Sequence, residues 1–193
     1  MQRSLALTIV ATALIAAAPL GRAQMTMKGM EMKGAGRPYA GQQAREIKAL
    51  SAEEIGQYLS GAGMGYAKPA ELNGYPGPSH VLEIADGLAL TPEQRNETKA
   101  LMQAHKEDAR AIGAKLVAAE RELDALFRSK SAERAALEKA VSAAAQMQAS
   151  YRLSHLETHL RMRDLLTPEQ IAKYDVLRGY AGGSSDQQQH GKH

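Results

Sequence analysis

Leu90-Thr91-Pro92-Glu93-Gln94 and Leu166-Thr167-Pro168-Glu169-Gln170 are one pentapeptide written twice. Each copy carries three independent reasons for a helix to begin: Thr at the N-cap, Pro at the first helical position, and Gln three residues after the cap. Downstream of the first copy no breaker except Gly113 occurs until about Arg128. Leu101, His105, Ala109 (or its neighbour Asp108), Ile112, Leu116, Ala119, Leu123 and Leu126 recur there at steps of three and four, the repeat of one helical face. At 1.5 Å per residue this helix is roughly 50 Å long. Ser129 to Ser131 makes a short turn, and Ser131 is placed to cap a second helix running to about Arg163. One face of that helix carries Leu137, Val141, Ala144, Gln148, Tyr151, His155 and Met162, with Leu153, Leu156 and Leu160 beside it. The second pentapeptide opens a shorter helix through about Leu177, closed by Gly179.

Working upstream, Ser79 is positioned to cap a helix from His80 to about Asp86. The Gly- and Pro-rich stretch from Gly61 to Pro78 has room for one short helix around Pro69 to Leu72. Residues 42–60 have helical periodicity, with a fresh start at the capping box of Ser51 and Glu54 and a stop at Gly61. The fold class is therefore all-α: a long antiparallel helical hairpin with shorter flanking helices. Two long amphipathic helices do not bury their apolar faces alone. Either the short helices fold onto them or a second copy does, and we expect a homodimer packed by residues such as Leu116, Leu123, Leu137 and Val141.

The extreme N-terminus reads as a secretory signal over residues 1–23. Arg3 is the charged start, Leu5 to Leu20 an apolar run, and Gly21-Arg22-Ala23 a cleavage site of small residues. A membrane span needs about 20 apolar residues, so this run is too short and no stable membrane insertion is expected. A periplasmic location follows. Residues 24–40 then form a Met-rich segment expected to be disordered, 41–180 the helical domain, and 181–193 a Gly-, Ser- and Gln-rich tail expected to be disordered. Arg3 and Arg22 leave with the leader, so 24 basic against 21 acidic residues become 22 against 21. Such a balance gives no reason to expect nucleic-acid binding, which wants a basic stripe. The absence of Cys rules out disulfides and thiolate chemistry. One Phe and no Trp leave little from which to build strands.

Chemistry concentrates in the histidines. His155 and His159 lie four apart and project from one helical face, the spacing of a helical metal clip. If the hairpin turns near Lys130, His105 falls level with His155 and Leu101 level with His159. Three imidazoles would then converge on one spot, with Met102, Met162 and Asp108 within a turn of it. Imidazole with thioether suits copper; imidazole with carboxylate suits zinc, nickel or cobalt. The clip is not the H-E-x-x-H of a zinc protease, because Glu157 is the second residue after His155 rather than the first. No catalytic residue is assigned and no enzyme is expected. Met25, Met27, Met30 and Met32 offer soft thioethers for copper in the flexible segment.

Two L-T-P-E-Q motifs across a helical hairpin behind a signal resemble the Spy/CpxP-like periplasmic family, related to zinc-resistance-associated proteins and CnrX-like nickel/cobalt sensors. The lead-in Glu71-Leu72-Asn73-Gly74-Tyr75-Pro76-Gly77-Pro78, followed by His80-Val81-Leu82-Glu83, is similar to one seen in members described as refolding chaperones or heavy-metal-resistance proteins. The resemblance covers about residues 40–180. It implies a curved helical dimer that binds unfolded proteins or metal in the envelope, with the His155/His159 clip matching His ligands of the sensors. The function expected first is an ATP-independent chaperone shielding unfolded envelope proteins. A heavy-metal sensor or resistance protein comes second, and a regulatory adaptor for the periplasmic domain of a sensor kinase third.

Overall fold

A computed structural model describes residues 38–181. Among these residues there are six α-helices and no strand: α1 (Ala52–Ser60), α2 (Lys68–Glu71), α3 (Pro78–Glu83), α4 (Pro92–Arg128), α5 (Arg134–Leu165) and α6 (Pro168–Leu177). The leader, Met25 to Met32, and nearly all of the tail lie outside the described residues. No described helix is long and apolar enough to cross a membrane.

Both pentapeptides do what their residues dictate. Thr91 accepts from the Gln94 N–H while the Gln94 side chain accepts from the Thr91 N–H. Thr167 and Gln170 repeat the arrangement at the start of α6. The box of Ser51 and Glu54 opens α1, and Gly61, at φ 71°, closes it in the left-handed conformation.

α4 and α5 form the hairpin. Its single interior glycine has a packing reason. A Cβ on Gly113 would stand 2.1 Å from the Tyr58 carbonyl oxygen, because the C-terminal end of α1 crosses α4 there. The chain from Glu46 to Glu83, the strap, then runs along the hairpin from tip to base. Near the tip Arg121 pairs with Glu46, and Asp124 accepts from the Lys48 N–H. Tyr151 donates to the Ala62 carbonyl midway, and His159 meets Tyr75 nearer the base.

Two apolar clusters result. The middle one joins Ile47, Tyr58, Ala109, Leu116, Val117 and Tyr151. The basal one joins Val81, Ala85, Leu88, Leu90, Leu101, Met162, Leu166 and Tyr174. Between them the stripes pass through a polar layer: Leu101–His105–Ala109 on α4 and Tyr151–His155–Thr158–Met162 on α5.

Several expectations are corrected. Residues 42–50 are not helical beyond one 3-10 turn, Gln42–Ala44; their place is fixed by contacts to α4, not by periodicity. α3 starts at Pro78 with Gly77 as its N-cap, so Ser79 lies inside it. Pro favours the first helical position, and the chain uses that signal instead of the serine. Ser131 does not cap α5, whose N-cap is Glu133 without a side-chain bond; the Ser131 hydroxyl is taken by Ser129. Leu116 is buried in its own chain's core, only 2 % exposed, and is not available to a second copy.

Candidate metal centre

The polar layer borders a cavity of about 410 Å³, lined among others by Glu71, His80, Met102, His105, His155 and His159. Four of the protein's six histidines thus face one space. The antiparallel register places His105 beside His155, with Nε2 of the first 2.9 Å from Nδ1 of the second. Their rings meet edge to face at 4.5 Å. Tyr151 packs edge-on against His155 at 4.8 Å, and Tyr66 lies parallel to it at 6.5 Å.

His155 is 4 % exposed, and its Nε2 is buried without a hydrogen-bond partner. Burial, followed by the fields of His105 and His159, depresses its pKa to about 4. Burial also lowers the pKa of His105, with His159 adding to the effect and Asp108 opposing it. Both rings are therefore neutral at pH 7, the form that ligates metal.

His159, one turn further along α5, sits at another part of the same cavity. Its Nδ1–H donates to the Tyr75 carbonyl at 2.7 Å, which leaves Nε2 as the lone pair. Gly77 presses on this ring: a Cβ there would lie 2.9 Å from His159 Cε1. Arg163 holds the strap in place from below, 4.3 Å from the Tyr75 ring centre.

The residue that organises this end is Glu71, buried at the end of α2. Its carboxylate accepts from Tyr174, from Tyr180 at 3.2 Å and from the Gly77 N–H at 3.0 Å. His80 Nδ1 lies 3.0 Å from Oε1, and His159 Nδ1 3.7 Å from Oε2. Burial pushes the carboxyl pKa up. The hydrogen bonds from Tyr174 and His80 and the charges of His80 and His159 outweigh it and hold the group below the usual range. Glu71 is thus an anion kept ready in the interior, where an unpaired charge would be costly.

The sequence expectation of three converging imidazoles holds for His105 and His155, while His159 reaches the cavity beside Glu71. Met102 lines the cavity, but Met162 does not. It is fully buried in the basal cluster, because its position one turn past Thr158 has already left the polar layer. Asp108 is exposed and lines a separate groove with His105 and Glu157. Glu71, His80 and Met64 were not singled out from the sequence as ligands. Periodicity does not reach them, since they come from the irregular strap; the only signal was the lead-in from Glu71 to His80. Among the described residues no three His, Asp or Glu side chains stand as a ready ligand set. A cation entering here must take the place His80 now gives to Glu71. The donors still fit one: a buried carboxylate, the His159 imidazole with Nδ1 held by the Tyr75 carbonyl, and the orphaned Nε2 of His155.

A family model described as heavy-metal resistance, within the Spy/CpxP-like helical group, matches residues 61–173. No curated protein and no solved structure matches the chain. The matched span runs from Gly61, within the strap, through α4 and α5 into α6, and so includes every residue that lines the cavity. On that match the chain belongs to the heavy-metal resistance family.

Proposed function

We propose that the protein is an exported, non-enzymatic metal-binding protein of heavy-metal resistance that captures zinc, nickel or cobalt with Glu71, His80 and His159. The observation that carries this reading is the cavity whose lining includes four histidines and a buried, ionised carboxylate, with His80 and His159 beside the carboxylate. Nitrogen and carboxylate oxygen together suit these divalent ions. Binding would join α2, α3 and α5, so part of its free energy would appear as stability of the fold. The test is a thermal melt in EDTA and then in zinc, nickel and cobalt. A metal at 100 times its dissociation constant should stabilise by about 2.7 kcal/mol. The shift should vanish in His80→Asn, a half-exposed position whose loss leaves the core intact. No shift with any of the three ions would refute the reading.

A second reading, the ATP-independent chaperone for unfolded envelope proteins, is favoured by one observation. Leu153 and Leu160, which share one face of α5, leave 54 % and 51 % of their surface exposed. An exposed apolar stripe is a place to hold unfolded chains, a second copy of this protein, or a sensor kinase's periplasmic domain. Suppression of aggregation of an unrelated unfolded protein in EDTA, lost in Leu153→Ser/Leu160→Ser, would support it. Protection only in the presence of metal would count against it.

A further inference from the structure

The same cavity offers a second, chemically different set of donors. Besides His155 its lining includes two methionines, Met64 from the strap and Met102 from α4. Glu71, His80 and His159 supply oxygen and nitrogen; Met64 and Met102 supply thioether sulfur. Soft thioethers prefer monovalent d10 ions, while carboxylates prefer the divalent ones.

We propose that His155 Nε2, Met64 and Met102 form a site for a soft monovalent cation, Cu(I) or Ag(I), distinct from the divalent site at Glu71. The inference rests on reading this cavity as a metal site, and it adds a ligand class that the first reading does not use.

Three observations carry it. The first is the orphaned nitrogen. A buried polar atom without a partner is rare and costly, and His155 Nε2 is one. The second is the hydrogen-bond chain behind it. With His155 Nδ1–H donating to His105 Nε2, at 2.9 Å, His105 Nδ1–H is left to donate to Ser154 Oγ, at 3.3 Å. That tautomer leaves Nε2 a lone pair and orients the ring, the arrangement that outer-shell partners give a ligating imidazole. The third is the backbone of Met64. Its φ of 46° is left-handed, a conformation an unbranched side chain adopts only at a cost. Gly65 beside it takes the left-handed conformation without that cost, at φ 77°. Met64 takes it as well, and its side chain packs against the middle cluster.

The test is Ag(I) titration of the full chain by calorimetry; Ag(I) needs no reductant. Met25, Met27, Met30 and Met32 are first replaced by Leu, so that they do not compete. One tight silver site is expected. Met64→Leu/Met102→Leu keeps the volume and should weaken it by at least roughly a hundredfold, the upper end of what losing even an outer-shell partner costs. The same variant should keep its zinc-induced melting shift. His80→Asn should lose the zinc shift and keep silver. Silver affinity within threefold of the parent in the double Met variant would overturn the proposal while leaving the divalent site standing. Loss of zinc binding in neither variant would sink the first reading alone.

Discussion

The side-chain amides of Gln94 and Gln170 exchange hydrogen bonds, Nε2 of each reaching Oε1 of the other at 2.8 and 3.0 Å. Gln94 also donates to the Leu165 carbonyl at 2.8 Å, and Gln170 to the Leu88 carbonyl at 3.4 Å. The two copies of the pentapeptide therefore meet at the base of the hairpin. Each caps its own helix and ties down the segment leading into the other. The repeat is a fastening between α4 and α6, placed below the basal cluster and away from the cavity.

That geometry makes Gln94→Glu diagnostic. Glu is as good as Gln at the third position of a capping box, so the cap itself is indifferent to the change. The fastening is not, because a carboxylate has no N–H for the Leu165 carbonyl or Gln170 Oε1. Leaving those acceptors without donors should cost about 1–3 kcal/mol in urea unfolding. A Gln94→Glu protein as stable as the parent would show that only the cap matters.

Gly113 and Gly56 should respond to Ala with opposite signs. Gly56 lies exposed within α1, with nothing within 4 Å of an added Cβ. Ala there should stabilise by about 0.5–1 kcal/mol through helix propensity. At Gly113 the same gain is available, but the new methyl would meet the Tyr58 carbonyl at 2.1 Å and Tyr151 Cε2 at 3.2 Å. α1 would have to lift from α4, and overpacking of this kind costs about 1–3 kcal/mol. Thermal melts of the two variants decide it, and a Gly113→Ala protein more stable than the parent would mean that α1 does not sit where the structure puts it.

Much of this architecture was legible beforehand, for reasons that can be named. The hairpin followed from two start signals and stripes of period 3.6, and the pairing of His105 with His155 followed from the turn position. Capping and periodicity are local, so sequence carries them directly. Glu71 was not legible because its burial depends on Tyr174 and Tyr180, about a hundred residues away, and no local rule links them. Gly113 read as a tolerated breaker, since its reason lies in another helix. Met162 was misplaced because a face of period 3.6 does not say where an apolar cluster ends and a polar layer begins.

Stability should fall with acid over a defined window. His155 titrates at 6.5 when unfolded and about 4 when folded. The unfolded chain therefore takes up the proton first, and the stability this group confers, complete above pH 6.5, is lost as pH falls towards 4. His105 is lowered in the same direction. The Glu71 carboxyl, also lowered, adds a loss that begins only near its unfolded value of 4.5. In EDTA the melting temperature should decline steadily from pH 7 to 4.5, and His155→Gln should flatten that decline. A parent curve that is level between pH 6.5 and 5 would mean the folded state accepts these protons without penalty.

Tyr174→Phe separates the structural duty of Glu71 from its ligating one. The Tyr174 hydroxyl donates to Oε1, which also faces Tyr180 and His80. Burial, and then this bond to the carboxylate, raise the pKa of the phenol well above its ordinary value, so it remains a donor throughout the working range. Removing one donor from a buried carboxylate should destabilise the metal-free protein by about 1.5–3 kcal/mol, the usual worth of a hydrogen bond to a charged group. Zinc should bind at least as tightly as before, because Oε1 has one fewer hydrogen competing for its lone pairs. The stability gap between parent and variant should then narrow when zinc is saturating. Affinity lowered more than tenfold would show instead that the hydroxyl is needed to aim the carboxylate at the ion, making Tyr174 a positioning residue of the site.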